Sequence, residues 1–161
     1  MILEHPTDLL AFKRPQSRLL GLDLGTKTLG LALSDNHWII ASPFKTLERQ
    51  KFSKDILEFK KIIDEFKIDA LIIGLPINMN GTEGPKCQSI RQFAQNFLTY
   101  HDLPICFWDE RLSTVAVSRI MIQADISRKR QGEVVDKMAA SYILQGFLDR
   151  LKTKNLPDTL I

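Results

Sequence analysis

The stretch Leu19 to Asp35, LLGLDLGTKTLGLALSD, decides how the rest of the chain is read. Two apolar runs, Leu19–Leu24 and Leu29–Leu33, flank a turn at Gly25-Thr26-Lys27, and the second closes on Ser34-Asp35. Short apolar runs bounded by Gly and Asx residues read as strands, and a Gly-containing turn between two of them makes a hairpin. A single carboxylate, Asp23, stands at the centre of the first run. Inside a buried strand it must be paired, hydrogen-bonded or bound to a cation, since removing its water costs several kcal/mol. Asp23 is the residue to explain.

Downstream, His37 to Phe44 (HWIIASPF) predicts a third antiparallel strand, with Trp38 packed on the sheet in preference to stacking on a base. Lys45 to Lys54 is a polar, basic connection. Ser53 is placed to cap a helix through Phe66, whose Phe52, Ile56, Phe59, Ile62, Ile63 and Phe66 recur at helical spacing. Ile68 to Leu75 (IDALIIGL) leaves no solvated face and reads as a parallel, central strand stopped by Pro76. A polar loop follows, with the turn pair Asn80-Gly81, and Pro85 opens a helix with Ile90, Phe93, Ala94, Phe97 and Leu98 on its buried stripe. Ile105 to Trp108 is a further buried strand running into Asp109-Glu110-Arg111. Ser113 or Thr114 caps the next helix, and a polar joint carries Arg128, Lys129 and Arg130. The last helix starts near Gly132 and runs into the 150s.

An antiparallel meander followed by crossover-linked strands predicts an α/β fold with a mixed five-stranded sheet and helices packed on it. Residues 1–17 read as a partly mobile lead-in, 18–152 as one domain and 153–161 as a tail. The 161 residues suffice for one core. A net charge of +3 permits a polyanionic partner without demanding one. Cys87 and Cys106 lack CxxC spacing and read as reduced, inert thiols, and no zinc site is expected. Residues 1–16 resemble neither a signal peptide nor a membrane span, so no membrane partner is expected.

Three acids sit where packing prefers something else. Asp23 is mid-strand, Glu110 follows a buried strand directly, and Asp136 falls on the inward arc of the last helix with Ile143 and Phe147. A helix N-terminus explains an acid at Asp136 but not its inward face. For Glu110 a surface pair with Arg111 is an equally good reading in isolation. Asp109 competes there, but its side chain points to the opposite face if the pleat continues. Converging, the three acids would repel one another unless hard divalent cations joined them, and carboxylate oxygens suit magnesium or manganese. Two ions about 4 Å apart on three acids form the two-metal arrangement for phosphodiester hydrolysis. His5, His37 and His101 lie in loop-like surroundings and offer no nucleophile–base alternative.

Four segments in order, GLDLGTKTLGLALSD, GLPINMNGTE, DERLST and VVDKMAASYIL, resemble the YqgF-type ribonuclease H-like proteins, from about Arg18 to about Arg150. That family comprises pre-16S ribosomal RNA nucleases and Holliday-junction resolvases. The resemblance implies a ribonuclease H-like fold, a bacterial cytoplasmic setting, a monomer or weak homodimer, and magnesium- or manganese-dependent cleavage with two ions. Its catalytic, metal-binding acids fall on Asp23, Glu110 and Asp136. Its substrate side falls on Lys27, on Asn78, Gly81 and Thr82, and on Arg111, Ser113 and Thr114, with Arg128, Lys129 and Arg130 able to grip phosphates. Asn80 stands where an Asp is common, and Thr28 where Ser or Arg is expected. Pre-16S ribosomal RNA is the expected substrate, in 5′-end maturation, with branched DNA as the alternative. Two rivals stand beside this reading. Asp-Leu-Gly-Thr also resembles the phosphate loop of actin-type ATPases, which need two lobes where this chain supplies one. The other is a non-catalytic module binding RNA or protein: an intact acid triad argues against it, while a buried Asp can also be structural.

Overall fold

The computed structural model describes residues 1–112 and 131–154. Among these residues the chain forms β1 (Ile2–Leu3), a 3-10 helix (Pro6–Phe12), β2 (Arg18–Leu24), β3 (Thr28–Ser34), β4 (Ala41–Glu48) and α1 (Phe52–Phe66). After these come β5 (Ile68–Leu75), α2 (Pro85–Leu98), β6 (Ile105–Asp109), a 3-10 turn (Glu110–Leu112) and α3 (Gln131–Lys154). The helix expected after Ser113 or Thr114 and the basic joint lie outside the described residues.

One sheet runs in the order β1-β6-β5-β2-β3-β4. The hairpin β2–β3 and its partner β4 are antiparallel, whereas β2, β5, β6 and β1 are mutually parallel. The sheet therefore has six strands where five were expected. The addition comes from the segment read as a lead-in. Ile2 and Leu3 pair with Ile105 and Cys106. Leu9 is fully buried, and Arg14 grips the buried carboxylate of Asp69 through its backbone N–H (2.8 Å) and Nε (2.5 Å). Asp69 is available for this because a register shift at Arg18/Leu19 interrupts the β2–β5 pairing, which skips from Ile68 to Ala70.

Two cores lie on opposite faces of the sheet. Leu20, Leu22, Leu29 and Leu31 meet α1 and α2, where Phe59 packs edge-on to Phe97. Leu19, Ala32, Ala70, Ile72, Cys106 and Trp108 meet Ala140, Ile143, Leu144 and Phe147 of α3. Alternation along each strand assigns these faces. Both cysteines are buried and free, and burial pushes the Cys106 thiol up to about 12, which leaves it inert.

The third strand begins later than HWIIASPF suggests. Asp35 captures the backbone N–H groups of Ile39 (2.7 Å), Ile40 (2.9 Å) and His37 (3.3 Å), and Trp38 adopts φ 58° within the resulting turn. Residues 37–40 are thereby withdrawn from the sheet, and β4 extends instead through Glu48 into the segment expected to be a connection. Trp38 still packs as expected, in the α3-side core with Nε1 donating to the Ser17 carbonyl. Ser53 caps nothing. Asp55, buried in the first turn of α1, instead accepts the Gln50 N–H. His101, read as a surface residue, is half-buried with its ring 5.2 Å from that of Phe97.

Helix α3 lies unusually close to the sheet because glycines remove the side chains beneath it. A Cβ at Gly30 would stand 2.1 Å from the Asp136 carbonyl oxygen, and one at Gly21 would stand 2.8 Å from Leu144 Cβ. Gly30→Ala must therefore displace backbone, and a loss of about 1–3 kcal/mol is expected in urea denaturation. Burial pushes the Asp35 carboxyl up, but its backbone donors outweigh this and hold it below its ordinary 3.8. Its contribution to stability is then complete above about that pH and is lost as pH falls through the lowered value. The difference in urea midpoint between wild type and Asp35→Ala should be constant near neutrality and shrink only in acid.

Candidate functional site

The three acids occupy the α3 side of the sheet at the carboxyl ends of its parallel strands, where open α/β sheets form their sites. Asp23 follows Leu19 and Gly21 in the alternation of β2, and both of those face α3. Its partner across the hairpin is Gly30. On the other side Leu22 pairs with Ile73, so Asp23 and Gly74 are one step further along neighbouring strands. The sheet thus carries a row Gly74–Asp23–Gly30 across β5, β2 and β3, strands about 4.8 Å apart. An acid stands in the middle and a bare backbone on each side.

Each glycine receives another acid. Over Gly30 lies the backbone of Asp136, whose Cβ is 3.0 Å from the position a Gly30 Cβ would take. Over Gly74 lies Glu110, whose Oε1 is 3.1 Å from the corresponding position, beside Ile143 of α3. Glu110 reaches it because β6 pairs with β5 up to Leu75–Asp109 and then turns into the 3-10 segment. All three acids are half-buried. Asp136 Oδ2 accepts a hydrogen bond from Thr28 Oγ1 on β3. Among the described residues, no group of three His, Cys, Asp and Glu side chains is gathered tightly enough to hold a metal ion. The backbone brings the acids into one row, and their hard oxygen donors are of the chemistry that magnesium or manganese takes.

The loop after β5 stands beside this row. Asn78 N–H donates to the Thr82 carbonyl (2.9 Å), Gly81 N–H to the Asn78 carbonyl (2.8 Å), and Asn78 Nδ2 to Thr82 Oγ1 (3.0 Å). Thr82 in turn donates to Asn80 Oδ1 from both Oγ1 (2.6 Å) and its backbone N–H (3.0 Å). Gly81 adopts φ 87°, a left-handed conformation that closes the turn at no steric cost. Arg111 is committed to the same structure. Its Nη2 donates to Asp109 Oδ2 (2.7 Å) and its Nη1 to the Asn78 carbonyl (3.3 Å). That guanidinium holds the Asp109 carboxyl below the usual carboxylate range. Since Phe107 packs with the α1–α2 core, Asp109 falls on the face away from Glu110.

Lys27 is exposed on the β2–β3 turn, where its carbonyl accepts the Arg49 N–H (2.8 Å) while Arg49 Nη1 holds the Gly25 carbonyl (2.8 Å). Ser113, Thr114, Arg128, Lys129 and Arg130 lie outside the described residues. Thr28 and Gly30 were not singled out from sequence as parts of the site. The signal for Gly30 was available: a glycine inside an apolar strand marks close backbone approach.

A relative from Paramagnetospirillum magneticum, named "Putative pre-16S rRNA nuclease", is 56% identical over 144 residues, covering 89% of this chain and 93% of its own length. One of the same name from Roseobacter denitrificans is 51% identical and covers 94% of each. Among solved structures, Thermus thermophilus RuvC in complex with a Holliday junction substrate aligns with a TM-score of 0.53 at 11% identity, over 85% of this chain and 97% of that one. This likeness shows a ribonuclease H-like fold. The sequence pattern of the family described as RuvX, Holliday junction resolvase, matches residues 17–150, and the chain belongs to that family.

Proposed function

We propose that this protein is a divalent-metal-dependent endonuclease that hydrolyses phosphodiester bonds in pre-16S ribosomal RNA during maturation of its 5′ end. The observation that carries the reading is the row of Asp23, Glu110 and Asp136 across Gly74 and Gly30. Three half-buried acids gathered on one face offer the hard oxygen donors that divalent cations take. The substrate rests on the names of relatives sharing half or more of the sequence.

Asp23, Glu110 and Asp136 would hold magnesium or manganese, two ions in the full reading. The chemistry supplied on binding is a lowered pKa for an attacking water and charge stabilisation at the leaving oxygen. The chain's own residues do the rest. Thr28 orients Asp136 through its hydroxyl, Gly74 and Gly30 keep the floor open, and Arg111 fixes the loop on the substrate side. Lys27 and the Arg128–Arg130 cluster are assigned to phosphate contacts, and Ser113 and Thr114 to the substrate side. The cytoplasm is the setting assigned; among the described residues no helix is long and apolar enough to cross a membrane. The family description favours a second substrate, the four-way DNA junction, which requires a dimer presenting two sites.

Purified protein with manganese or magnesium, offered a precursor ribosomal RNA and a four-way DNA junction side by side, tests both. Asp23→Asn should lower cleavage by at least about a thousandfold. It should unfold at an equal or slightly higher urea concentration, because it removes carboxylate repulsion. A variant that cuts at the wild-type rate would overturn the site assignment. Replacing Arg128, Lys129 and Arg130 with Ala should weaken RNA binding and reduce the slope of log K against log salt by about 0.7 for each phosphate of a single strand no longer neutralised. An unchanged slope would make that cluster ordinary surface.

A further inference from the structure

Met79 is 88% exposed, the most exposed large apolar side chain among the described residues. A single exposed apolar residue is common on protein surfaces; what sets Met79 apart is how its backbone is held. Here the backbone is tightly held. The loop carrying Met79 is cross-tied by the Asn78–Thr82 and Thr82–Asn80 hydrogen bonds and closed by the left-handed Gly81. Arg111 Nη1 reaches both the Asn78 carbonyl (3.3 Å) and the Met79 carbonyl (3.5 Å). The same guanidinium is anchored on Asp109, the residue before Glu110. An apolar side chain is thus presented to solvent on a rigid mount attached directly to the segment bearing one of the three acids. Leu112, 66% exposed, adds a second apolar group one residue beyond Arg111.

We infer that Met79 is a wedge that slips between neighbouring nucleobases and opens one base step beside the acids. The inference rests on the nuclease reading and adds to it a residue that selects substrate shape. An unbranched thioether is narrow, polarisable and free of hydrogen-bonding demands, and apolar side chains of this kind unstack base steps in nucleic-acid complexes. Asp109 and Arg111 are then positioning residues for the wedge. A step already unstacked, at a junction branch or a strand end, costs less to open than one inside a regular duplex, so the wedge favours such sites.

The test uses full-length Asp23→Asn protein, to keep strands uncut, with Met79 intact or changed to Ala or Leu. The probes are an RNA duplex with a single-stranded 5′ extension and a four-way DNA junction, each with 2-aminopurine placed successively across the bound region. Fluorescence should rise at one position with Met79 present, disappear with Met79→Ala and return with Met79→Leu, and affinity should fall about fivefold to tenfold in the Ala variant. The nucleic acid showing the rise identifies which polymer the wedge serves. Fluorescence and affinity unchanged in Met79→Ala would overturn the wedge while leaving the nuclease reading intact. Signal lost equally with Ala and Leu would overturn it in favour of a general loop effect. No binding of either probe by the Met79 protein would overturn the nuclease reading and the wedge together.

Discussion

The contact on which this structure depends is backbone against backbone, where α3 crosses the hairpin with no side chain between them. At Gly30 even a methyl group has no room, since its carbon would stand 2.1 Å from a helix carbonyl. Helices normally rest on a sheet at the distance set by intervening side chains. Here the glycines let α3 sink, and an acid on the helix arrives at the level of an acid in the strand. The same device recurs at the far end of α3, where a Cβ at Gly146 would meet the Trp108 ring at 2.9 Å. Removing side-chain volume at chosen points therefore sets both the depth of the second core and the height of the site.

Around that crossing, charge is treated in two ways. Where an acid serves the scaffold, the chain surrounds it with donors. Asp35 has three backbone N–H groups, Asp69 has Arg14, Asp109 has Arg111, and Glu83 has Arg91 at 2.6 and 2.9 Å. In the row at the carboxyl edge three acids are brought close together from a strand, a 3-10 turn and a helix. Like charges brought this close disfavour one another's ionised forms.

Much of this was legible in the sequence because the decisive segments have strong periodicity. Ile68–Leu75 has no polar face to misread, and the existence of α1 and α2 follows from apolar spacing, with Pro85 opening α2. The three acids stood out because each broke a pattern that its neighbours kept. What escaped notice depends on partners distant in sequence. Ile2 and Leu3 form a strand only because Ile105 and Cys106 offer them an edge, and nothing local marks two residues as a strand. The start of β4 shifted because one side chain, Asp35, outcompeted the sheet for three amides. Thr28 belongs to the site only through Asp136, 108 residues away.

That separation has a consequence for the order of assembly. The hairpin, α1, β5, α2 and β6 are all made from the first 109 residues, and they already carry Asp23 and the strand leading to Glu110. Asp136 comes with the last described element, which must find the far face of a sheet already formed. During synthesis from the N-terminus, the pocket of charge is completed only when α3 leaves the ribosome and docks. A growing chain thus carries an incomplete row of acids until its last described helix docks.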